Sequence, residues 1–210
     1  MKKRASRSSR EEKTSDMISP CSPIVACRLS RRELLKAGLG AAVCAVASIF
    51  PRIPFAGTLE LLDTDRILSF YNTHTGETLK AVYCRGGNYL AEAIGTIHHI
   101  LRDHRTNQVR SIDLPLLDLL YALRVKLQND QPFHIISGYR SPVTNANLCH
   151  KNRQVAPKSF HILGKAIDIR LPECDLPALR SAALALHGGG VGYYPKSGFI
   201  HIDVGPVRAW

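Results

Sequence analysis

Ser159-Phe160-His161-Ile162-Leu163-Gly164-Lys165-Ala166-Ile167-Asp168-Ile169-Arg170 and, further on, Phe199-Ile200-His201-Ile202-Asp203-Val204-Gly205 are the two stretches that decide the fold. Side chains alternate between the two faces of a strand. In the second stretch, Ile200, Ile202 and Val204 therefore share one face, and His201 and Asp203 share the other. In the first, Ile167 and Ile169 face one way and Asp168 the other, beside Ala166 and Arg170. Each strand offers an apolar face to a core and a polar face elsewhere. If the strands are neighbours, Asp168 and His201 meet. His161 lies in the loop leading into the first strand, where Gly164 permits a tight return. Two imidazoles and one carboxylate are the donor set of a zinc ion that keeps an open fourth position. His161, Asp168 and His201 are thus the candidate metal ligands. The same donors also suit other first-row ions.

Around these stretches the pattern reads as α+β. Residues 67–83 form a hairpin about Thr73-His74-Thr75-Gly76. Residues 89–104 read as a helix. Residues 114–129 read as a stronger one, with Asp113 as cap, Pro115 in the first turn, and Leu116, Leu120, Leu123 and Leu127 at helical spacing. Residues 133–137 form a strand that runs into Gly138-Tyr139-Arg140-Ser141-Pro142. A short helix follows over 143–150. A strand spans 166–171, and Asp175 caps a helix over 176–187. Two last strands, 191–194 and 199–204, flank a Pro195-Lys196-Ser197-Gly198 turn. Short turns between adjacent strands imply a mixed, largely antiparallel sheet with flanking helices.

Composition bounds the function. The chain has 210 residues, 45% of them hydrophobic, and a formal net charge of +11. Residues 1–56 hold 11 Lys+Arg against 4 Asp+Glu, and residues 57–210 hold 17 against 13. Most of the excess charge precedes the expected domain, and no aromatic-basic interleaving accompanies it. That argues against a nucleic-acid binder. Ser30-Arg31-Arg32-Glu33-Leu34-Leu35-Lys36, followed by an apolar run from Ala37 to Phe50, resembles a twin-arginine export signal. The expected organisation is a polar, basic extension over 1–29, a signal segment over 30–56 with cleavage after Ala47 or Ala56, and one domain over 57–210. The membrane is involved only if the signal stays uncleaved. Beyond residue 57, Cys84, Cys149 and Cys174 are an odd set without CxxC spacing. They read as thiols or one bridge, not as a zinc site.

Other candidates carry less. His98, His99, His104, His150 and His187 lie on expected helices without partnered spacing. Arg140 ends a strand segment, where its guanidinium is suited either to clamp a carboxylate or to brace its own loop. Tyr139 and Ser159 are candidates for orienting a substrate, Ser159 alternatively for bonding its own loop backbone.

With these residues in view, a resemblance emerges. Ser137-Gly138-Tyr139-Arg140-Ser141-Pro142 and Ser159-x-His161-x-x-Gly164-x-Ala166-x-Asp168 resemble the zinc D-Ala-D-Ala carboxypeptidase and hedgehog-like peptidase superfamily. Tyr71-Asn72-Thr73-His74-Thr75-Gly76-Glu77, Gly189-Gly190-Val191-Gly192-Tyr193-Tyr194-Pro195 and His201-Ile202-Asp203-Val204-Gly205-Pro206 resemble its YcbK-like, MepK-type murein endopeptidase branch. The resemblance implies zinc held by His161, Asp168 and His201, with Arg140 holding substrate. It implies peptidoglycan stem peptides or their cross-links as substrate, cut at an amide bond in the periplasm or cell envelope. A D-Ala carboxypeptidase and a non-catalytic envelope module are the alternatives. Many superfamily members carry an acid three residues before the last ligand. Here that position is Gly198. Asp203 is then either the general base or the partner that orients a ligand histidine. Glu173 and His187 are weaker options.

Overall fold

A computed structural model describes residues 17–20, 65–152 and 155–210. The expected signal segment over 30–56, and all of the 1–29 extension except Met17–Pro20, lie outside the described residues. The described strands are β1 (Met17–Pro20), β2 (Arg66–Asn72), β3 (Thr78–Arg85), β4 (Asn88–Leu90), β5 (Phe133–Ser137), β6 (Ala166–Arg170), β7 (Gly190–Tyr194), β8 (Phe199–Asp203) and β9 (Arg208–Ala209). They form one sheet in the order β1-β4-β3-β2-β5-β6-β8-β7-β9. The β2–β5 and β7–β9 pairs are parallel and the others antiparallel. The helices are α1 (Ala91–Ile100), α2 (Leu114–Leu127), α3 (Pro142–Lys151) and α4 (Leu176–Leu184). The α+β class and the largely antiparallel sheet are as the sequence implies. No described helix is long and apolar enough to cross a membrane.

The core explains the register. Ile167, Ile169, Ile200 and Ile202 are 0–1% exposed and belong to the same apolar cluster as Leu116, Leu120 and Leu179 of α2 and α4. Helix α2 packs on β2 and on α4, and α4 packs on β7 and β8. Each buried isoleucine stabilises the fold by about 1.5–3 kcal/mol. A slip of one residue between β6 and β8 would exchange these side chains for Asp168, His201 and Asp203, so the register is firmly specified. In the register observed, Ala166 pairs with Asp203, Ile167 with Ile202, and Asp168 with His201.

The elements differ from the sequence reading at their ends. Tyr89 and Leu90 belong to β4 rather than to a helix, and α1 stops at Ile100. Asp113 occupies the N-cap position of α2, but its side chain makes no capping bond. Its carboxylate stands 3.6 Å from the Lys165 ammonium instead. Ser141 and Asp175 do cap, accepting from the backbone N–H groups of Thr144 and Ala178. Cys149 and Cys174 are free, whereas Cys84 is disulfide-bonded.

Candidate metal centre

The site is built on the polar face of β6 and β8, opposite the isoleucines. Asp168 and His201 stand directly across from each other, where side chains lie roughly 4.5–5.5 Å apart at Cβ. His161 comes from a 3₁₀ turn, Phe160–Leu163, rather than from an irregular loop. The Ser159 hydroxyl caps this turn by accepting from the His161 N–H at 3.3 Å. Gly164 ends it in a left-handed conformation, φ +69°. A Cβ at Gly164 would stand 2.2 Å from the Ser111 carbonyl oxygen, so this position admits only glycine without rearrangement.

The three side chains converge. His161 Nε2 is 3.2 Å from both His201 Nδ1 and Asp168 Oδ1, and His201 Nδ1 is 2.9 Å from Asp168 Oδ1. Three donors on one tetrahedral zinc, with bonds of about 2.0–2.2 Å, stand roughly 3.3–3.6 Å apart. Among the described residues, this is the one group of three such side chains placed to hold a metal ion.

The far side of each imidazole decides what the near side offers. His161 Nδ1 is 2.7 Å from the Gly138 carbonyl oxygen, which only accepts, so the proton sits on Nδ1 and the Nε2 lone pair faces the triad. His201 Nε2 is 3.0 Å from Asp203 Oδ2, which holds a proton on Nε2, so that release of the Nδ1 proton leaves the Nδ1 lone pair facing the triad. Two lone pairs and a carboxylate oxygen thus point at one spot. Such a set is repulsive unless a positive charge sits within it, and a metal ion meets that condition. The residues fit a divalent ion of the kind that imidazole and carboxylate bind.

Electrostatics follow the same logic. Burial drives the His161 pKa down, against the pull of Asp168. Burial also lowers that of His201, but hydrogen bonds to Asp168 and Asp203 outweigh it and raise the pKa above its ordinary value. Burial pushes Asp168 up, yet His161 and His201 hold it far below the usual carboxylate range. The triad is organised around one added positive charge.

Arg140 does not point a free guanidinium into the cleft. Its Nη2 donates to Asp168 Oδ2 at 2.8 Å, and its Nε donates to Ser137 Oγ at 3.1 Å. It holds the oxygen of Asp168 that the triad leaves over. A register shift between Ile135 and Ser137 on β5 brings Ser137 opposite Asp168. Bulges of this kind re-aim side chains beside functional sites. Tyr139 is 6% exposed, packs in the core and lies outside the cleft lining, whereas Ser159 lines the cleft. Asp203 is fully buried. Its Oδ1 accepts from the N–H groups of Gly190 and Gly205 and from Arg208 Nη1, and its Oδ2 accepts from His201 and Arg208 Nη2. Glu173 and His187, the weaker base candidates, lie outside the cleft lining.

The cleft over the triad has a volume of about 520 Å³. Sequence reasoning missed one wall of it, formed by Phe160, Tyr194, Arg208 and Trp210. Arg208 and Trp210 reach the site because β9 folds back beside β7. A two-residue strand leaves no periodic signal in sequence, and no other cue marks these residues.

An α+β domain that brings a buried His/Asp/His triad together from two neighbouring strands and the 3₁₀ turn before them, in the lining of a cleft, has the make-up of a metallohydrolase. The chain belongs to the peptidoglycan L,D-endopeptidase MepK family of M15 metallopeptidases, whose family model matches residues 61–210. It is 44% identical over 181 residues to the peptidoglycan L,D-endopeptidase MepK of Escherichia coli strain K12, covering 86% of this chain and 97% of that protein. It is similar to the same extent to the MepK of Shigella flexneri. The probable peptidoglycan L,D-endopeptidase MepK of Haemophilus influenzae is 42% identical over 146 residues, 69% of this chain and 78% of that protein.

Proposed function

We propose that the chain is a zinc-dependent peptidoglycan L,D-endopeptidase that cuts an amide bond in murein cross-links. The observation that carries this reading is the pair of imidazole lone pairs and the Asp168 oxygen, each fixed from behind and aimed at one point. The identity to MepK proteins over most of the chain supports the substrate class. Work on peptidoglycan belongs in the cell envelope. The Ser30–Lys36 motif and the apolar run after it support export by the twin-arginine route.

His161, Asp168 and His201 are the residues that would hold the ion. A zinc ion held there would supply a water of lowered pKa and polarisation of the scissile carbonyl. The chain's own residues fix the geometry. Gly138 and Asp203 set the tautomers of the two histidines. Arg140 orients Asp168 through the Nη2–Oδ2 bond and lines the cleft, where its remaining terminal nitrogen would meet an acidic group of the muropeptide. Ser159 holds His161 in place through the turn and faces substrate; Tyr139 supports the Arg140 turn from the core. Asp203 is assigned the orienting role. With five donors on its two oxygens and no exposed surface, it has no lone pair left for a water proton. Gly198 lies in the turn between β7 and β8 at φ +70°, in the left-handed region that glycine adopts most freely, and brings no carboxylate to the site. Among the described residues Asp168 is the only carboxylate lining the cleft. Among the described residues, then, the cleft offers no second free carboxylate as proton acceptor.

The test is His161→Ala. Bound zinc and muropeptide cleavage both fall by more than about 100-fold, while the circular dichroism of the folded chain is retained. Cleavage at the wild-type rate by this variant contradicts the assignment.

A further inference from the structure

We propose that Arg208 is a positioning residue of the metal centre, acting through Asp203 on His201. The inference rests on the reading of the triad as a metal site. Asp203 is the sole partner of the His201 Nε2 proton, at 3.0 Å. It is 0% exposed, and a lone buried carboxylate is costly unless paired. The pairing cation is Arg208, whose two terminal nitrogens fork onto the two carboxylate oxygens, Nη1 to Oδ1 at 3.1 Å and Nη2 to Oδ2 at 2.6 Å. Arg208 is itself held in place. Its guanidinium lies over the Phe160 ring at 5.4 Å and the Trp210 ring at 4.9 Å, and Nη1 donates to the Pro206 carbonyl at 2.9 Å. Trp210 is tied by its indole N–H to the Tyr194 hydroxyl at 2.9 Å and by its backbone to Val191 and Tyr193. Its ring centroid is 5.3 Å from that of His201.

A planar fork makes this work. Two parallel bonds fix the plane of the Asp203 carboxylate, which fixes the direction of Oδ2 and hence the rotation of the His201 ring. The guanidinium also draws on the carboxylate charge. The His201 proton thus stays on Nε2, and the Nδ1 lone pair stays directed at the triad. Phe160 adjoins His161 in sequence, so the same stacked guanidinium links both ligand histidines. The segment from Gly205 to Trp210 therefore completes the metal centre from outside the ligand set.

The experiment measures zinc affinity of the full chain by competition with a chromophoric chelator, for wild type, Arg208→Met and Arg208→Lys. Outer partners of ligand histidines typically account for 10–100-fold in metal affinity. Arg208→Met is expected to raise the zinc Kd about tenfold or more. Arg208→Lys, with the charge but not the fork, falls between it and wild type. Unfolding midpoints of the metal-free proteins are recorded alongside. A merely structural Arg208 would lower those midpoints and leave zinc Kd unchanged, and that result overturns the inference. If Arg208→Met does not fold, wild-type affinity in Arg208→Lys overturns it. Failure of the wild type to bind zinc would remove the metal reading and this inference together. The assay uses no substrate, so it is independent of the peptidoglycan assignment.

Discussion

Asp203 is the residue at which the sequence and the structure weigh most differently. Strand alternation places it on the ligand face, which leaves it open as a base or as an orienting partner. The structure sets its carboxylate behind His201, saturated by five donors. Asp203→Asn replaces the accepting Oδ2 with an amide of the same shape, so the Nε2 proton loses its charged partner. The expected result is a zinc Kd raised about 10–100-fold, with cleavage restored towards wild type by excess zinc. Loss of cleavage with zinc affinity unchanged would favour a base role instead. The ligands themselves were legible because period-2 alternation is local. Asp168 and His201 needed only that β6 and β8 be neighbours, and His161 needed in addition the tight return at Gly164. The Gly138 carbonyl and Arg208 were not legible, since a backbone acceptor has no side-chain signature and an arginine on a two-residue strand looks like any surface cation.

Among the elements, the loop after α1 supports the site through the turn that follows β5. The Leu101 carbonyl accepts from the Tyr139 N–H at 2.8 Å, and Asp103 Oδ2 accepts from the Ser141 N–H at 2.8 Å. These bonds hold the turn that carries Gly138 and Arg140. A Cβ on Gly138 would stand 2.4 Å from the Leu101 oxygen, so the close approach requires glycine. His104 of this loop stacks on His74, ring centroids 3.8 Å apart. Burial, with Arg105 and His74 nearby, pushes its pKa down to about 4 from an ordinary 6.5. A depressed pKa means that the unfolded chain takes up the proton first. The contribution of His104 to stability is therefore fully present above pH 6.5 and is lost as the pH falls towards 4. Denaturant unfolding at several pH values is expected to show a steeper loss over that window in wild type than in His104→Gln. Parallel curves would remove His104 from the account. The stacked pair joins two segments far apart in sequence. Such a contact has no local signature, and residues 89–104 read as one helix although α1 ends at Ile100. The hairpin of β2 and β3, by contrast, was legible from its flanking apolar runs and its Gly76 turn.

In the whole molecule, the sheet separates two functions. Helices α2 and α4 bury the isoleucine face, and the opposite face is left for chemistry. The fold class was legible because both faces are written into β6 and β8. The edges of the sheet were not. Strands β1, β4 and β9 are 4, 3 and 2 residues long, too short for a periodic pattern to register. The position of β9 matters most, since it brings Arg208 and Trp210 to the cleft and makes the wall that the sequence did not show. The arrangement places the metal-binding triad in a cleft whose lining includes Arg140, Lys158 and Arg208. The reading proposed above is that this centre cuts an L,D amide bond in cross-linked murein through a bound metal ion. The most direct measurement is mass analysis of cross-linked muropeptides digested by the chain, with and without a chelator and with zinc added back. The account predicts that cross-linked species are converted to monomers, that the chelator abolishes this, and that zinc restores it. Conversion that persists unchanged in the chelated protein would contradict it.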